Sequence, residues 1–161
     1  MDEFNYKSIG IIRSPFKTMD GMPIQPSGAN GVTGTVEVEP MYERGLKDLD
    51  GFSHIILIYH FHKSEGFSLR IVPFLDDVAR GLFATRAPKR PNPIGFSVVR
   101  LKGIKGNILE IENVDILDRT PLLDIKPFVP DFDAYENALT GWLEKASKKV
   151  DKKKSDERFM S

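Results

Sequence analysis

One acid-free segment, residues 80–105, holds the densest cluster of side chains that can do chemistry. Its seven basic residues are Arg80, Arg86, Lys89, Arg90, Arg100, Lys102 and Lys105. The whole chain has 23 Lys plus Arg and 23 Asp plus Glu, so its formal net charge is zero. Attraction to a polyanion must therefore come from local clustering and not from the molecule as a whole.

Three prolines, at positions 88, 91 and 93, stiffen the middle of this segment. Each fixes its own φ near −65° and restricts the residue before it, so the intervening side chains are held with little entropy left to lose. Arginine offers a planar fork for phosphate or carboxylate, and Asn92 can bind a base edge. Pro and Asn are also ordinary turn residues, so composition alone leaves a binding edge and a solvated turn equally open.

Three histidines suggest a metal site, because imidazole is a common zinc ligand. The even spacing of His54, His60 and His62 predicts that all three lie on one face of a strand. No acidic residue accompanies them in that stretch, and the chain has no cysteine. We therefore expect no metal, and we expect His54 to be a core or supporting residue.

Two further stretches, MPIQPSGA and LDRTPLLDIKP, carry polar groups within loop-like sequence (residues 22–29 and 117–127). Gly28 allows backbone groups to approach a ligand closely. Asp118 can accept the hydroxyls of a ribose or cap nearby amides, and Thr120 can bond a ligand or the backbone. On local sequence alone, ordinary turns explain both stretches.

Strand patterns, rich in β-branched and aromatic residues, dominate up to about residue 128 and must position these groups. Strands are predicted over residues 6–14, 32–39, 54–61, 95–101 and 108–114. The sequence KGIKGN, residues 102–107, suits a tight reversal between the last two. A helical turn is predicted over 42–49. Because no long helical segments separate the strands, we predict a mainly β fold, an antiparallel barrel or strongly curved sheet.

A C-terminal α-helix is predicted over about residues 133–150 and is expected to pack on the barrel. Asp133 and Glu136 have the spacing of a capping box, and apolar residues follow on one face. This helix completes a single domain of residues 1–150, and residues 151–161 form a charged, solvated tail.

Nothing in the sequence predicts a membrane protein. The longest apolar run, residues 55–59, is far shorter than the ~20 residues of a spanning helix, and the acidic start lacks a signal-peptide pattern. Together with the absence of cysteine, this predicts a soluble cytoplasmic protein.

The stretch GLFATRAPKRPNPIG, residues 81–95, resembles the signature of the TsaA-like family. Its best-known members, called TrmO, are S-adenosylmethionine-dependent tRNA adenine N6-methyltransferases. SIGIIRSPFK, GFSHIILIYHFH and DILDRTPLLDIKPFVPDFD resemble the family's other blocks, in the family's order. The resemblance implies a barrel methyltransferase, unlike the Rossmann-type enzymes, that works as a homodimer and binds the tRNA anticodon loop.

The resemblance also implies which residues hold the methyl donor, S-adenosylmethionine. These are Pro26, Ser27, Gly28, His62, Lys63, Arg86, Asp118, Arg119, Thr120 and Pro121. Phe96 is expected to bind the donor as a neighbour of Arg86, through its backbone or ring. Arg119 stands where the family usually has Gly. Because a sulfonium cation prefers an aromatic face to a guanidinium, we expect Arg86 to meet the donor's carboxylate or a tRNA phosphate.

By the same resemblance, Lys89, Arg90 and Asn92 are expected to contact RNA. The family's target is N6-threonylcarbamoyladenosine beside the anticodon, whose N6 proton calls for an acceptor. Asp124 and His62 are the candidates by residue type. Two alternatives stay open: a barrel that binds S-adenosylmethionine or a nucleotide with a different substrate or no catalysis, and an RNA-binding barrel without a cofactor.

Overall fold

The computed structural model describes residues 1–144, which form eight β-strands and a few short helical segments. The strands are β1 Gly10–Arg13, β2 Thr33–Val38, β3 His54–His60, β4 Arg70–Ile71, β5 Arg80–Gly81, β6 Ile94–Lys105, β7 Ile108–Glu112 and β8 Thr120–Pro127. One α-helical turn, α1, spans Pro130–Asp133. The 3₁₀ segments are Pro26–Ala29, Pro40–Leu46, Leu49–Gly51, Leu82–Ala84 and Gly141–Glu144.

Six strands close into a barrel in the order β1-β2-β7-β6-β3-β8, and every neighbouring pair is antiparallel. This confirms the predicted mainly β fold. β4 and β5 form a separate two-stranded sheet. The predicted reversal is also confirmed, because β6 and β7 pair up to Lys105 and Ile108 and Gly106 takes a φ of +60° between them.

Alternating apolar residues fill the barrel interior. In β3, Ile55 and Leu57 are fully buried and Tyr59 is 5% exposed, while the residues between them face outward. Val36 and Val38 of β2 are buried in the same core, as the alternation in residues 32–39 predicts. Each fully buried aliphatic side chain of this kind contributes about 1.5–3 kcal/mol to folding.

A second, smaller apolar cluster lies beside the barrel. Ile71, Leu82 and Ala87 are buried together, with Phe74 packed against them. The cluster anchors the long connection between β3 and β6, which includes the basic, proline-rich segment.

β8 was not predicted, because its two prolines resemble turn residues. Pro121 lies near the start of the strand, opposite Ile11, and Pro127 is its last residue. Proline is tolerated at such positions because few ladder hydrogen bonds are lost there. The predicted helical turn at 42–49 corresponds to two 3₁₀ segments, Pro40–Leu46 and Leu49–Gly51.

The structure corrects the predicted C-terminal helix. α1 ends at Asp133, and residues 134–140 are not helical. The Asp133 carboxylate accepts a hydrogen bond from the Val129 amide at 2.8 Å, so it closes the preceding turn and does not cap a following helix. Gly141 then adopts a φ of +57°, which is incompatible with a continuous right-handed helix. The remainder of the predicted helix, 145–150, and the predicted tail, 151–161, lie outside the described residues.

Among residues 1–144 there is no helix with the length and apolar character needed to span a bilayer.

Candidate functional site

A cavity of about 1070 Å³ opens at the end of the barrel where β3 ends and β6 begins. Its size is that of a small-molecule site. Eight residues predicted to bind the donor or RNA line it: Pro26, Ser27, His62, Lys63, Arg86, Arg90, Phe96 and Thr120. Three separate loops and two strands therefore contribute to one wall.

The aromatic part of the wall depends on a glycine. Gly95 lies opposite Tyr59 in the β3–β6 register, and a Cβ at Gly95 would overlap the rings of Tyr59 and Phe61. Those two rings contact each other edge to face, with centroids 5.5 Å apart. Glycine at this position thus lets two aromatic rings pack against the β6 backbone beside the cavity.

Arg86 bridges the aromatic wall and the loop that follows β1. Its guanidinium donates to Gln25 Oε1 at 3.0 Å, and its Cζ lies 4.9 Å from the centre of the Phe96 ring. Both Arg86 and Phe96 are exposed to solvent along the cavity. An exposed guanidinium that is held against an aromatic face offers a site for an anion at the cavity.

Arg90, which is also predicted to contact RNA, lines the cavity and bonds the backbone of its own loop. Its Nη1 donates to the carbonyl oxygens of Thr85 and Ala87, at 3.0 and 3.3 Å, and its guanidinium lies 5.7 Å from the Phe83 ring centre. Arg90 therefore braces the proline-rich loop from within, at the cavity wall.

The other two predicted RNA contacts lie outside the cavity. Asn92 is exposed and Lys89 is half-buried. Lys89 forms no ion pair with any residue in the described part of the chain. Among the described residues, no carboxylate competes with a phosphate for its ammonium.

The three histidines separate. His54 and His60 lie on the outward face of β3, whereas His62 follows the strand and lines the cavity. His62 Nδ1 is 3.4 Å from Thr120 Oγ1, and burial, followed by the nearby charge of Lys63, lowers the pKa of His62. No set of three potential metal ligands is assembled within residues 1–144.

Asp118 lines a smaller cleft on another side of the barrel. It accepts hydrogen bonds from the Ser14 amide, at 3.1 Å, and from the Lys17 ammonium. Burial opposes its charge, but the hydrogen bond from Lys17 and the Ser14 amide hold the pKa of Asp118 below its ordinary value. In this structure its contacts tie the segment after β1 to the approach to β8.

The remaining predicted donor residues divide between the cavity and the surface. Thr120 is 2% exposed and lines the cavity, where its hydroxyl donates to the Leu117 carbonyl at 2.7 Å. Arg119 is exposed, takes a φ of +63° and does not line the cavity. Gly28 and Pro121 are not part of the lining either.

Asp124, one predicted proton acceptor, lies in β8 opposite Ile58 and outside the cavity lining. Its carboxylate pairs with Lys126 at 2.8 Å.

A buried polar chain that sequence reasoning missed reaches the cavity from the barrel core. Tyr59 Oη lies 3.0 Å from Ser97 Oγ, and Ser97 Oγ donates to Asp115 Oδ1 at 2.7 Å. All three residues line the cavity. The sequence does carry one local signal, because Asp115 is an acidic residue flanked directly by Val114 and Ile116, which are both buried.

The burial of this chain controls its protonation. Burial raises the pKa of Asp115 to about 7, although the hydrogen bond from Ser97 and the charge of Arg86 favour the carboxylate. Burial and the neighbouring Asp115 also raise the pKa of Tyr59, so its phenol stays protonated and remains a donor. The cavity therefore holds a carboxyl group that titrates near neutral pH.

Comparisons with known proteins give a consistent result. The family model described as tRNA-methyltransferase O N-terminal domain matches residues 11–134. A probable S-adenosyl-L-methionine-binding protein of Pyrococcus abyssi is 58% identical, with 97% of this chain and 85% of that protein aligned. The tRNA (adenine(37)-N6)-methyltransferase of Escherichia coli is 35% identical, over 91% of this chain and 66% of that protein.

A solved structure agrees. The crystal structure of TrmO from Pseudomonas aeruginosa superimposes with a TM-score of 0.75 at 38% identity, covering 88% of this chain. This chain covers 63% of that protein, so the match spans less than two thirds of the crystallised relative.

Proposed function

The chain belongs to the tRNA-methyltransferase O N-terminal domain family, and from this premise we propose that it transfers a methyl group from S-adenosylmethionine to tRNA. The observation that carries the proposal is the cavity in which Arg86 stacks on Phe96 and binds Gln25. It joins an anion site and an aromatic face within one enclosure.

The residues present fit the methyl donor. S-adenosylmethionine carries a carboxylate, a sulfonium cation and a nucleoside. The Arg86 guanidinium suits the carboxylate, and the Thr120 hydroxyl oxygen can accept a hydrogen bond from the nucleoside. The cavity volume, about 1070 Å³, also accommodates a ligand of this size. When bound, the donor supplies an electrophilic methyl group.

The chain's own residues would then position the two reactants. Methyl transfer needs an in-line approach, and correct placement alone supplies several kcal/mol of barrier reduction. We propose the N6 of adenosine, or of its threonylcarbamoyl derivative, beside the anticodon as the target. Bases in such a loop are unstacked and open to recognition. Asn92, which is exposed, and Lys89, which is half-buried, lie outside the cavity lining and would contact the RNA backbone or bases.

The test uses purified protein, unmodified and threonylcarbamoylated tRNA, and donor labelled in the methyl group. We expect label in the N6-methyl nucleoside of the anticodon loop, identified by mass spectrometry after digestion. Absence of label from both tRNAs, with calorimetry showing that the donor binds, would reject methylation of tRNA at this position.

A second candidate function is binding of S-adenosylmethionine with a different acceptor substrate. One observation favours it: relatives such as that of Pyrococcus abyssi are described only as binding this molecule. Calorimetry separates the two candidates from a third, an RNA-binding barrel, because only the third binds no donor. The homodimer implied by the resemblance is tested in the same samples by analytical ultracentrifugation.

A further inference from the structure

The Tyr59–Ser97–Asp115 chain has one direction. Ser97 has a single hydroxyl hydrogen and gives it to Asp115 Oδ1, so the contact between Ser97 and Tyr59 requires Tyr59 to be the donor. Ser97 and Tyr59 are 2% and 5% exposed, respectively. Polar groups so deeply buried cost folding free energy unless they are satisfied, and here Tyr59 donates to Ser97 and Ser97 donates to the Asp115 carboxylate at the cavity.

We propose that Asp115 is the proton acceptor of the methyl transfer, oriented by the buried hydrogen bonds that run from Tyr59 through Ser97. The inference rests on the proposed function. It assigns a role to a residue that neither local sequence nor residue-by-residue resemblance selected.

The transfer requires such an acceptor. The N6 nitrogen forms a bond to the methyl carbon as the carbon–sulfur bond breaks and its electron pair remains on sulfur. The N6 proton passes to the Asp115 carboxylate, which becomes a carboxylic acid. One positive charge on sulfur and one negative charge on Asp115 both disappear, so the step is balanced and the net charge of the cavity does not change. The proton then leaves to solvent through the open side of the cavity.

The surroundings favour Asp115 over the acceptors predicted from the sequence. Burial raises the pKa of Asp115 to about 7, the range in which a general base works best near neutral pH. The same effect lowers the pKa of His62 and makes it a weaker base. Asp124 lies outside the cavity lining. The titratable groups that line the cavity with Asp115 are Tyr59, His62, Lys63, Arg86, Arg90 and Asp133.

The first test needs no substrate. In the free protein, the carbon-13 shift of the Asp115 carboxyl should titrate with an inflection near pH 7. Ser97→Ala removes a hydrogen bond that favours the charged form, so the inflection should move to higher pH. A carboxyl that titrates in the ordinary range near pH 4, or that does not respond to Ser97→Ala, would overturn the inference.

The second test measures single turnovers with saturating donor and tRNA across pH. The wild-type rate should rise with pH and level off above an inflection near 7, and Ser97→Ala should shift that inflection upward. Asp115→Asn should lose 10²- to 10⁴-fold in rate and the rise with pH, while donor affinity by calorimetry changes less than about fivefold. Asp50→Asn, exposed and outside the cavity lining, is the control with unchanged rate.

Two results reject the role of Asp115. If Asp115→Asn lowers the donor affinity by as large a factor as it lowers the rate, Asp115 binds the donor and is not the proton acceptor. If His62→Asn or Asp124→Asn abolishes the rise of the rate with pH and Asp115→Asn does not, the substituted residue, His62 or Asp124, is the proton acceptor. A wild-type protein that binds the donor and methylates neither tRNA would reject the proposed function itself, which separates that failure from failure of the inference.

Discussion

The Cζ atom of Arg86 lies 4.9 Å from the centre of the Phe96 ring, although the two residues belong to different elements. Phe96 is fixed in β6 of the barrel, whereas Arg86 lies in the connection between β5 and β6. The hydrogen bond from Arg86 to Gln25 adds a third segment, the loop after β1. The stack therefore joins two loops to the barrel at the cavity.

This relationship predicts that Arg86→Ala weakens binding of S-adenosylmethionine by about 10- to 100-fold, the value of a charge-assisted hydrogen bond of roughly 1.5–3 kcal/mol. Arg86→Lys should fall between wild type and Arg86→Ala, because it keeps the charge but loses the planar fork. Calorimetry measures both. Lys89→Ala, outside the cavity, serves as the control with unchanged donor affinity, and an equal loss in Lys89→Ala would contradict the assignment.

Trp142 should report donor binding through its fluorescence. It is the single tryptophan of the chain, it lines the cavity, and its Nε1 donates to the Ala84 carbonyl at 2.8 Å. Arg80 lies 5.5 Å from the centre of its ring. We expect the emission to change on titration with S-adenosylmethionine and to saturate at the calorimetric affinity. Trp142→Phe removes the signal, and unchanged emission during calorimetrically proven binding would place the donor elsewhere.

The sequence was sufficient for five of the six barrel strands because each contains its own periodic or β-branched pattern. β8 was not predicted because proline is a common turn residue, and only the strand register shows that Pro121 and Pro127 lie at the ends of β8. The prediction of the C-terminal helix was wrong for a related reason. A capping-box spacing at Asp133 does not reveal that its carboxylate already bonds the Val129 amide.

The candidate site was predictable where residues cluster along the chain. Arg86 and Phe96 belong to the proline-rich block, and the structure brings both to the cavity. The buried chain was not predictable, because Tyr59 and Ser97 are 38 residues apart and Ser97 and Asp115 are 18 apart. Pairing of β3 with β6 brings Tyr59 near Ser97, and that register is a tertiary property.

Arg119→Gly should stabilise the protein slightly without affecting the donor. Arg119 has a φ of +63°, a conformation that costs a residue with a side chain roughly 1–2 kcal/mol. Glycine removes that cost but loses about 0.5–1 kcal/mol of backbone entropy on folding, so the expected gain is up to about 1 kcal/mol. Urea unfolding measures the gain, and calorimetry should show donor affinity unchanged, because Arg119 lies outside the cavity lining.

A glycine that is replaced at another position with positive φ provides the control. Gly106 has a φ of +60° in the β6–β7 turn, so Gly106→Ala should destabilise the protein by about 1 kcal/mol. A loss of donor binding in Arg119→Gly would mean that its side chain contacts the donor.

Asp118→Ala should destabilise the fold by about 1–3 kcal/mol, because it leaves the Ser14 amide without its acceptor and removes the ion pair with Lys17. Lys17→Ala should cost less than about 1 kcal/mol, since the Lys17 side chain is 71% exposed. The folded pKa of Asp118 is lowered, so its contribution is complete above the unfolded value near 3.9 and is lost as pH falls below it. Urea unfolding of wild type and Asp118→Ala at pH 7 and pH 3 should show the difference between them shrink at pH 3.

Lys89→Ala should weaken tRNA binding and lower its salt dependence. The Lys89 ammonium forms no ion pair within residues 1–144, so a phosphate contact would release about 0.7–1 counterion. The slope of log affinity against log salt should fall by that amount, while donor affinity stays constant. Arg90→Ala should instead weaken the binding of both tRNA and S-adenosylmethionine, because it removes the hydrogen bonds to the Thr85 and Ala87 carbonyls that brace the loop. An unchanged slope in Lys89→Ala would exclude a contact between Lys89 and RNA. If Arg90→Ala keeps the donor affinity and weakens only tRNA binding, Arg90 contacts RNA as the sequence predicts.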